Sequence, residues 1–279
     1  MTPQDQEFLS ALIKKASGIV ITPDKSYLLE NRLTPIARAE GLSSLDELIS
    51  KLRRSQDRVL FEKIIDAMTT NETFFFRDKT PFTLMEEVVL PQLVEKRGSN
   101  ARVRMWTAAA SSGQELYSIA MLMREMQPKL QGMKAELIGT DLSKEIIEKA
   151  KAGLYTQFEV QRGLPVKLLV KNFQKEGEMW RLKPEIRAAG EFKILNLLSD
   201  FRTLRTFDVI FCRNVLIYFD PPTKRDILER IARQLAPDGY LFLGASETVM
   251  GITDVFRPVK DCRGLYELNP DKVKGRAAA

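Results

Sequence analysis

Polar and charged side chains follow several apolar segments in the second half of the chain, and they are the first candidates for chemistry. Asp141 ends "ELIGTD", Asn196 follows "FKIL", and Arg213 and Asn214 follow "FDVIFC". In parallel α/β sheets, ligands bind beyond the carboxyl ends of the strands, where an acidic side chain can accept both hydroxyls of a ribose. An asparagine amide can donate to and accept from an adenine edge. These residue types indicate a nucleoside site.

Each of these residues also has a purely structural interpretation that the sequence leaves open. Asp141 suits the N-cap of a following helix, Asn196 suits a turn, and Arg213 with Asn214 suits a salt-bridged strand end. The segment "TAAASSG" is a tight turn of small residues that lets a ligand approach the backbone before a helix. It holds only Gly113, so the Gly-x-Gly-x-x-Gly pattern of a dinucleotide site is missing.

The segment "MTTNETFFFRDK", residues 68–79, places three phenylalanines between a polar run and a charged run. Neither helical nor strand periodicity explains this order. From the residues alone, the segment is either part of the core with ragged ends or the wall of a site.

Periodicity predicts the elements that position these residues. Residues 1–70 read as four helices with short connections, and residues 71–97 as a linking segment and a helix. In residues 98–269, short apolar runs alternate with helical patterns, which predicts a doubly wound parallel sheet. A small β insertion is expected at about 170–193, and residues 270–279 are expected to be a disordered tail.

Composition excludes several functions. The 279 residues contain no histidine, which removes Ser-His-Asp and Cys-His catalysis and the commonest zinc ligand. We predict no metal site. Two cysteines are too few for a disulfide scaffold, no apolar run is long enough to span a membrane, and the N-terminus lacks signal-peptide order, which together predict a cytoplasmic protein.

Charge is weakly informative about partners. The net charge is +6, yet residues 1–70 hold ten basic and ten acidic residues, so the excess lies in the rest of the chain. No nucleic-acid motif is present, and we predict no nucleic-acid partner.

Five segments together carry a specific resemblance. "TTNETFFFRD", "RMWTAAASSGQELYSIAM", "GTDLSKEIIEKAKAGLY", "LNLL" and "FDVIFCRNVLIYFD" have the order and spacing found in the bacterial chemotaxis receptor methyltransferases, the CheR family, and the match runs from about residue 5 to 268. The resemblance implies a Rossmann-like S-adenosylmethionine methyltransferase domain after an all-helical N-terminal domain. It also implies transfer of methyl groups to glutamate side chains of chemoreceptors, giving methyl esters and S-adenosylhomocysteine.

Site residues follow from the same motif matches. Arg77 and Tyr218 match the positions beside the transferred methyl group and are predicted to be catalytic. Where the family usually has Glu-Glu-Pro-Tyr-Ser, the chain retains Glu115 but has Gln114 and Leu116 around it. The predicted cofactor-binding residues are Asn71, Thr73, Phe75, Arg77, Glu115, Asp141, Asn196, Leu197, Arg213 and Asn214. With these matches, the phenylalanine segment is interpreted as a site wall held in place by its own apolar residues, with some rings in the core and Phe75 facing the cofactor.

The predicted partner is the cytoplasmic domain of a chemoreceptor. The protein itself is predicted to be monomeric and not embedded in the membrane. The helical domain is expected to recognise the receptor, and a basic face is one candidate surface. Its residues are Arg32, Arg38, Lys51, Arg53, Arg54 and Arg58, and the alternative is an ordinary solvated surface. Two other functions stay open: an S-adenosylmethionine enzyme with a small-molecule or nucleic-acid substrate, and a non-catalytic S-adenosylmethionine-binding sensor or scaffold.

Overall fold

The computed structural model describes residues 1–55 and 57–273, which divide into two compact units. The first unit consists of Met1–Asn71 together with Tyr218–Thr223. The second consists of Glu72–Ile217 and the described part of Lys224–Ala279. The chain therefore leaves the second unit for six residues before it returns.

Four α-helices form most of the first unit, as predicted. They are α1 (Pro3–Ser17), α2 (Tyr27–Ala39), α3 (Leu45–Arg54) and α4 (Arg58–Met68). Three of them begin with a side-chain cap, in which Thr2, Ser44 and Asp57 accept hydrogen bonds from backbone amides in the first turn. These caps stabilise helix starts because the first amides of a helix have no partner within it.

The core of the first unit is aliphatic. Leu9, Ile13 and Leu33 are among its fully buried side chains. The segment Tyr218–Thr223 is bound to the helices by a hydrogen bond of 2.9 Å, which the Val20 amide donates to the Tyr218 carbonyl. It therefore belongs to this helical unit by hydrogen bonding as well as by proximity.

Ten strands occur in the described part of the second unit, and they form two sheets. They are β1 (Arg102–Ala108), β2 (Lys134–Asp141), β3 (Leu154–Thr156), β4 (Phe173–Glu176), β5 (Met179–Leu182), β6 (Gly190–Ile194), β7 (Phe207–Cys212), β8 (Leu235–Leu243), β9 (Phe256–Pro258) and β10 (Leu265–Leu268).

Seven of these strands form the large sheet, in the order β6-β2-β1-β7-β8-β10-β9. β6, β2, β1, β7 and β8 are parallel, and β10 and β9 complete the sheet in antiparallel pairings. Every residue of β7 is buried, as expected for a strand covered on both faces. The predicted doubly wound parallel sheet is confirmed.

Helices cover the sheet and connect its strands. They are α5 (Thr80–Leu84), α6 (Leu90–Arg97), α7 (Gln114–Met126), α8 (Lys144–Ala152), α9 (Gln157–Gln161), α10 (Val166–Asn172), α11 (Pro184–Arg187), α12 (Pro221–Gln234) and α13 (Pro270–Val273). A π-helical stretch, Met85–Val89, joins α5 to α6. No helix among the residues described here is long and apolar enough to cross a membrane.

The small sheet has three antiparallel strands in the order β3-β5-β4. The sequence predicted a hairpin within about 170–193, and the structure differs at both ends. β3 pairs with β5 although it precedes the predicted insertion, and β6, at Gly190–Ile194, belongs to the large sheet. A strand of three residues has too little periodicity to be recognised in a sequence. The position of β3 is set instead by its pairing with β5.

Two further differences concern the ends of predicted elements. The helical pattern "PPTKRDILERIARQLAPDG" predicts a helix through residue 239, but residues 235–239 belong to β8, where the register with β7 shifts between Phe207 and Val209. Within the tail predicted to be disordered, Pro270–Val273 forms α13. The rest of that prediction, residues 274–279, lies outside the described residues.

Candidate active site

The sheet has a topological switch point between β1 and β7. These strands are parallel neighbours, and β2 lies beyond β1 on one side while β8 lies beyond β7 on the other. Because the connections leave in opposite directions, a crevice forms at the carboxyl ends of the two strands, which is where such sheets bind ligands. The predicted residues Glu115, Asp141, Arg213 and Asn214 all belong to segments that begin at this edge.

The loop after β1 holds two non-glycine residues in the left-handed backbone region. Ala109 has φ of 57° and Ser111 has φ of 51°. Such residues are strained and concentrate at functional sites. The Ala110 amide donates to the Thr140 carbonyl at 2.8 Å, so the loop is tied to the end of β2.

Asp141 completes that connection. One carboxylate oxygen accepts the Ser111 amide at 2.9 Å, and the other accepts the Ser143 amide at 3.0 Å. The residue is buried, with 6% of its surface exposed. The N-cap of α8 is Ser143, whose side chain accepts the Ile146 amide, so Asp141 acts at the strand end rather than as the helix cap.

Asn196 and Leu197 lie in the turn that follows β6. The side-chain oxygen of Asn196 accepts the Leu198 amide at 2.9 Å, which is the turn chemistry left open by the sequence. Leu197 is buried, and its carbonyl accepts a hydrogen bond of 2.6 Å from Arg230.

The phenylalanine segment packs into the second unit through Phe75. This ring is fully buried and makes edge-on contacts with Tyr155, at 5.1 Å between ring centroids, and with Phe173, at 5.6 Å. The ring therefore has no exposed surface to offer a ligand. Its burial corrects the expectation that Phe75 faces the cofactor, because the aromatic cluster holds the ring in the core.

The residues around Arg77 have a strained backbone. Phe76, Asp78 and Lys79 have φ values of 52°, 69° and 51°. The Phe76 amide donates a hydrogen bond of 2.9 Å to the Ser118 hydroxyl, which connects the segment to α7. Three left-handed residues around Arg77 reverse the chain sharply, and this turn gives the Arg77 side chain its position.

Arg77 lies against the face of Phe74 and donates to the Glu72 carbonyl at 2.8 Å. Arg162 stacks on the same ring, with its guanidinium carbon 4.4 Å from the ring centroid, and donates to the Glu72 carboxylate at 2.6 Å. At Gly163, which has φ of 81°, a Cβ would lie 2.1 Å from the Phe75 carbonyl oxygen. The loop between α9 and α10 therefore closely supports the Arg77 segment.

Arg213, directly after β7, is the centre of a buried charge network. Its side chain is 1% exposed and donates to the Glu115 carboxylate at 2.6 Å, to the Asp78 carboxylate at 2.7 Å and to the Arg77 carbonyl at 3.0 Å. Burial raises the pKa of Glu115, while the adjacent Arg213 guanidinium and Arg77 oppose that rise. The network joins the start of α7, the Arg77 turn and the end of β7.

Two family descriptions match the chain. "CheR methyltransferase, all-alpha domain" matches residues 4–69, and "CheR methyltransferase, SAM binding domain" matches residues 71–264. The chain belongs to the CheR methyltransferase family. It is thus an S-adenosylmethionine-dependent methyltransferase, and its family membership places it among the methyltransferases of bacterial chemotaxis.

Curated relatives agree over nearly the whole CheR chain. "Chemotaxis protein methyltransferase 1" of Pseudomonas aeruginosa is 43% identical over 94% of this chain and 96% of its own length. "Chemotaxis protein methyltransferase Cher2" of Pseudomonas putida is 41% identical over the same shares. "Chemotaxis protein methyltransferase" of Vibrio anguillarum is 38% identical over 96% of this chain and 98% of its own.

The residues of this CheR chain suit S-adenosylmethionine. Asp141 and Asn196 supply a carboxylate and an amide at the ends of neighbouring strands, as a ribose and an adenine require. The Nε of Arg213 is buried and has no hydrogen-bond acceptor among the described residues, so a polar ligand on this side could satisfy a group that is costly to leave unpaired.

The predicted site residues divide between the two units of the CheR chain. Thr73, Arg77, Glu115, Asp141, Asn196, Leu197, Arg213 and Asn214 belong to the second unit. Asn71 and Tyr218 belong to the first, where the Asn71 side chain donates to the Thr69 hydroxyl at 3.1 Å. Roles for all ten in cofactor binding or catalysis stay predictions.

Sequence reasoning missed three charged residues beside these segments, namely Asp78, Arg162 and Glu247. Asp78 stood within the quoted motif as the direct neighbour of Arg77. Glu247 had a usable signal in the sequence, because it closes "YLFLGASE" directly after the apolar run of β8. Arg162 had no signal, since its partner Glu72 is 90 residues away.

Proposed function

We propose that this protein transfers methyl groups from S-adenosylmethionine to glutamate side chains on the cytoplasmic domain of chemoreceptors, forming methyl esters in the cytoplasm. The observation that carries the proposal is the Arg213 network, which joins Glu115 to the turn that contains Arg77. The names of the relatives, all chemotaxis protein methyltransferases, support the receptor as the substrate.

The composition of the chain suits a carboxylate nucleophile. A glutamate side chain has a pKa of about 4.3 and is ionised at neutral pH, so no general base is needed. The chain contains no histidine that could act as one. When bound, S-adenosylmethionine supplies a methyl group on a positively charged sulfur; a carboxylate oxygen forms the new bond to carbon, and the carbon–sulfur electron pair stays on sulfur. No proton moves.

The residues of the chain then have to bind the cofactor and the receptor glutamate and hold them in the correct orientation. Arg77 is placed by Phe74 and the Glu72 carbonyl, and its guanidinium is suited to guide a carboxylate. Asp141, at the end of β2, is proposed to accept the ribose hydroxyls. Orientation supplies much of the rate when the nucleophile needs no activation. Tyr218 is proposed to orient the methyl group or the substrate.

The first unit is proposed to recognise the receptor, and its charged residues narrow the candidate surface. Lys51 pairs with Glu40 at 3.1 Å, and Arg53 pairs with Asp5 at 2.9 Å. Arg32 donates to the carbonyls of Met68 and Thr69, both at 2.9 Å, and so helps to cap α4. With the pair between Arg58 and Glu62, three of the six basic residues of this face are therefore neutralised by carboxylates within the unit. We also propose that the protein acts as a monomer.

The test is a methylation assay. The protein is incubated with methyl-labelled S-adenosylmethionine and a chemoreceptor cytoplasmic fragment, and base-labile label is then measured. The control is the same fragment with its candidate glutamates replaced by glutamine. Label that is lost with the glutamates supports the proposal.

Two outcomes would contradict it. Base-stable label would indicate another acceptor group. Binding of S-adenosylhomocysteine without any ester would favour the non-catalytic sensor or scaffold.

A further inference from the structure

We infer that Glu247 is a positioning residue, which fixes the loop carrying Arg213 and Asn214 by binding the backbone of that loop. The inference rests on the proposed function for its consequence in catalysis. Glu247 is buried and follows β8, and the nearby Arg213 forms its ion pairs with Asp78 and Glu115.

Four backbone amides converge on its carboxylate. One oxygen accepts the amides of Asn214 and Gly244, both at 2.7 Å. The other accepts the amides of Val215, at 3.0 Å, and Ile217, at 3.3 Å. A carboxylate has about four acceptor positions, so the backbone fills this one completely. Glu247 therefore serves the loop and is not a ligand for the cofactor.

The backbone is shaped for this contact. Asn214 has φ of 59°, a left-handed conformation that turns successive amides toward one point and creates an anion-binding concavity. At Gly244, a Cβ would lie 2.7 Å from the Glu247 carboxylate and 2.9 Å from the Asn214 amide nitrogen. Only glycine lets the carboxylate approach this closely.

The loop matters because Arg213 is its first residue after β7. Arg213 reaches Glu115 and Asp78 from the end of β7, and the path of the next residues sets where its side chain begins. If the four amides lose their acceptor, the loop no longer has a single preferred conformation. The arginine and Asn214, both predicted to contact the cofactor, then lose their placement.

An open cavity of about 540 Å³ leads to this point. Its lining includes Arg213, Gly244 and Glu247. A small anion can therefore enter when the carboxylate is removed, which provides a direct experimental test.

The first experiment compares Glu247→Gln, Glu247→Ala and the wild type, with Glu95→Gln as a matched control at an exposed position on α6. Affinity for S-adenosylhomocysteine is measured by calorimetry. Both Glu247 variants should bind about tenfold more weakly, since each leaves buried amides without an acceptor. The isosteric glutamine supplies one oxygen where two are needed, and Glu95→Gln should bind as the wild type does.

The second experiment is rescue of Glu247→Ala by formate. Formate should restore the affinity, and it should also restore slow hydrogen exchange at the amides of residues 214, 215, 217 and 244, measured by NMR. Formamide, which matches formate in size but is uncharged, should not. A merely space-filling role for Glu247 predicts no difference between the two additives.

The inference is overturned if Glu247→Gln binds S-adenosylhomocysteine like the wild type, or if formate restores neither affinity nor protection. If Glu247→Ala does not fold, Glu247→Gln decides the matter, because it keeps the volume. Failure of the proposed function is a separate result: a wild type that binds S-adenosylhomocysteine but forms no ester leaves these binding and exchange measurements intact.

Discussion

The basic residues of the two units are used in different ways. In the first unit, Arg53 pairs with Asp5 while 45% of the arginine side chain is exposed, and Arg58 pairs with Glu62 while 88% exposed. In the second, Arg213 is 1% exposed and has two carboxylate partners. Exposed pairs contribute little to stability, whereas an ion left alone in the interior is costly. Burial and partners therefore decide what an arginine contributes, and sequence neighbours do not.

Arg213→Ala should have the largest effect. The substitution leaves Glu115 buried without its partner, and breaking such a pair costs about 3–5 kcal/mol of unfolding free energy. Urea unfolding measures this directly, with Arg213→Lys as the control that keeps the charge but not the fork of donors. A loss of unfolding free energy under about 1 kcal/mol would mean that Arg213 contributes no more than an exposed ion pair, and the two units would then not differ in this respect.

Arg77→Ala should nearly abolish methyl transfer while the fold persists. The side chain has one hydrogen bond to the Glu72 carbonyl and one ring contact, so little stability depends on it. Removing an electrostatic guide at a reacting centre lowers turnover about 100-fold or more. The labelled-methyl assay with a receptor fragment measures the rate, and turnover at the wild-type level would refute the role.

Arg162→Ala should have an intermediate effect. It removes the stack on Phe74 and the ion pair with Glu72, worth together about 1 kcal/mol, and so should slow turnover by about three- to tenfold. Arg162→Lys, which keeps the charge but loses the planar stack, should fall between the alanine variant and the wild type. Equal rates in all three would show that Phe74 positions Arg77 without this support.

Asp220 in the first unit should make a smaller, pH-dependent contribution to stability. Hydrogen bonds from Lys14 and Thr223 lower its pKa from 3.8 to about 2. The folded state thus favours the charged carboxylate, and its contribution is present above pH 4 and lost as the pH falls toward 2. Asp220→Asn should lower the melting temperature at pH 7, and the difference from the wild type should shrink over that interval. A constant difference would mean that the charge is not involved.

Charge reversal of Arg53 and Arg54 should have the smallest effect on the protein itself. Exposed pairs contribute less than about 1 kcal/mol each, and affinity for S-adenosylhomocysteine should not change. Receptor methylation should weaken if this part of α3 contacts the glutamate-bearing helices of the receptor. Glu178→Lys, at an exposed position in the second unit, serves as the charge-change control. Unchanged methylation would place receptor recognition on another surface.

Most of the fold could be predicted from the sequence, because long amphipathic helices and buried apolar strands have clear periodicity. β3 and the extended start of β8 could not. The first has only three residues and depends on pairing with β5, and the second follows a shift in register against β7. Both are consequences of pairing between distant segments, which override local preference.

The candidate site was predictable where motifs carried it and not where packing did. Asp141 and Arg213 stood out as polar residues at strand ends, and Arg77 and Glu115 through their match to the motifs of the family; the roles of all four stay predictions. Phe75 was misjudged, because one phenylalanine among three looks the same in a sequence whether its ring lies in the core or at a site wall. The support that Arg162 gives to Phe74 has no local pattern.

By itself, the sequence determined the family, the alternation of helices and strands, and a chemistry that needs no imidazole. The tertiary structure decided which charges meet. Arg213 contacts Glu115 across 98 residues and Asp78 across 135, and Glu247 binds amides that lie 30 to 33 residues before it. Strand order and parallel register bring these groups together, and a hydrogen bond of about 3 Å depends on that placement far more than on any neighbour in the chain.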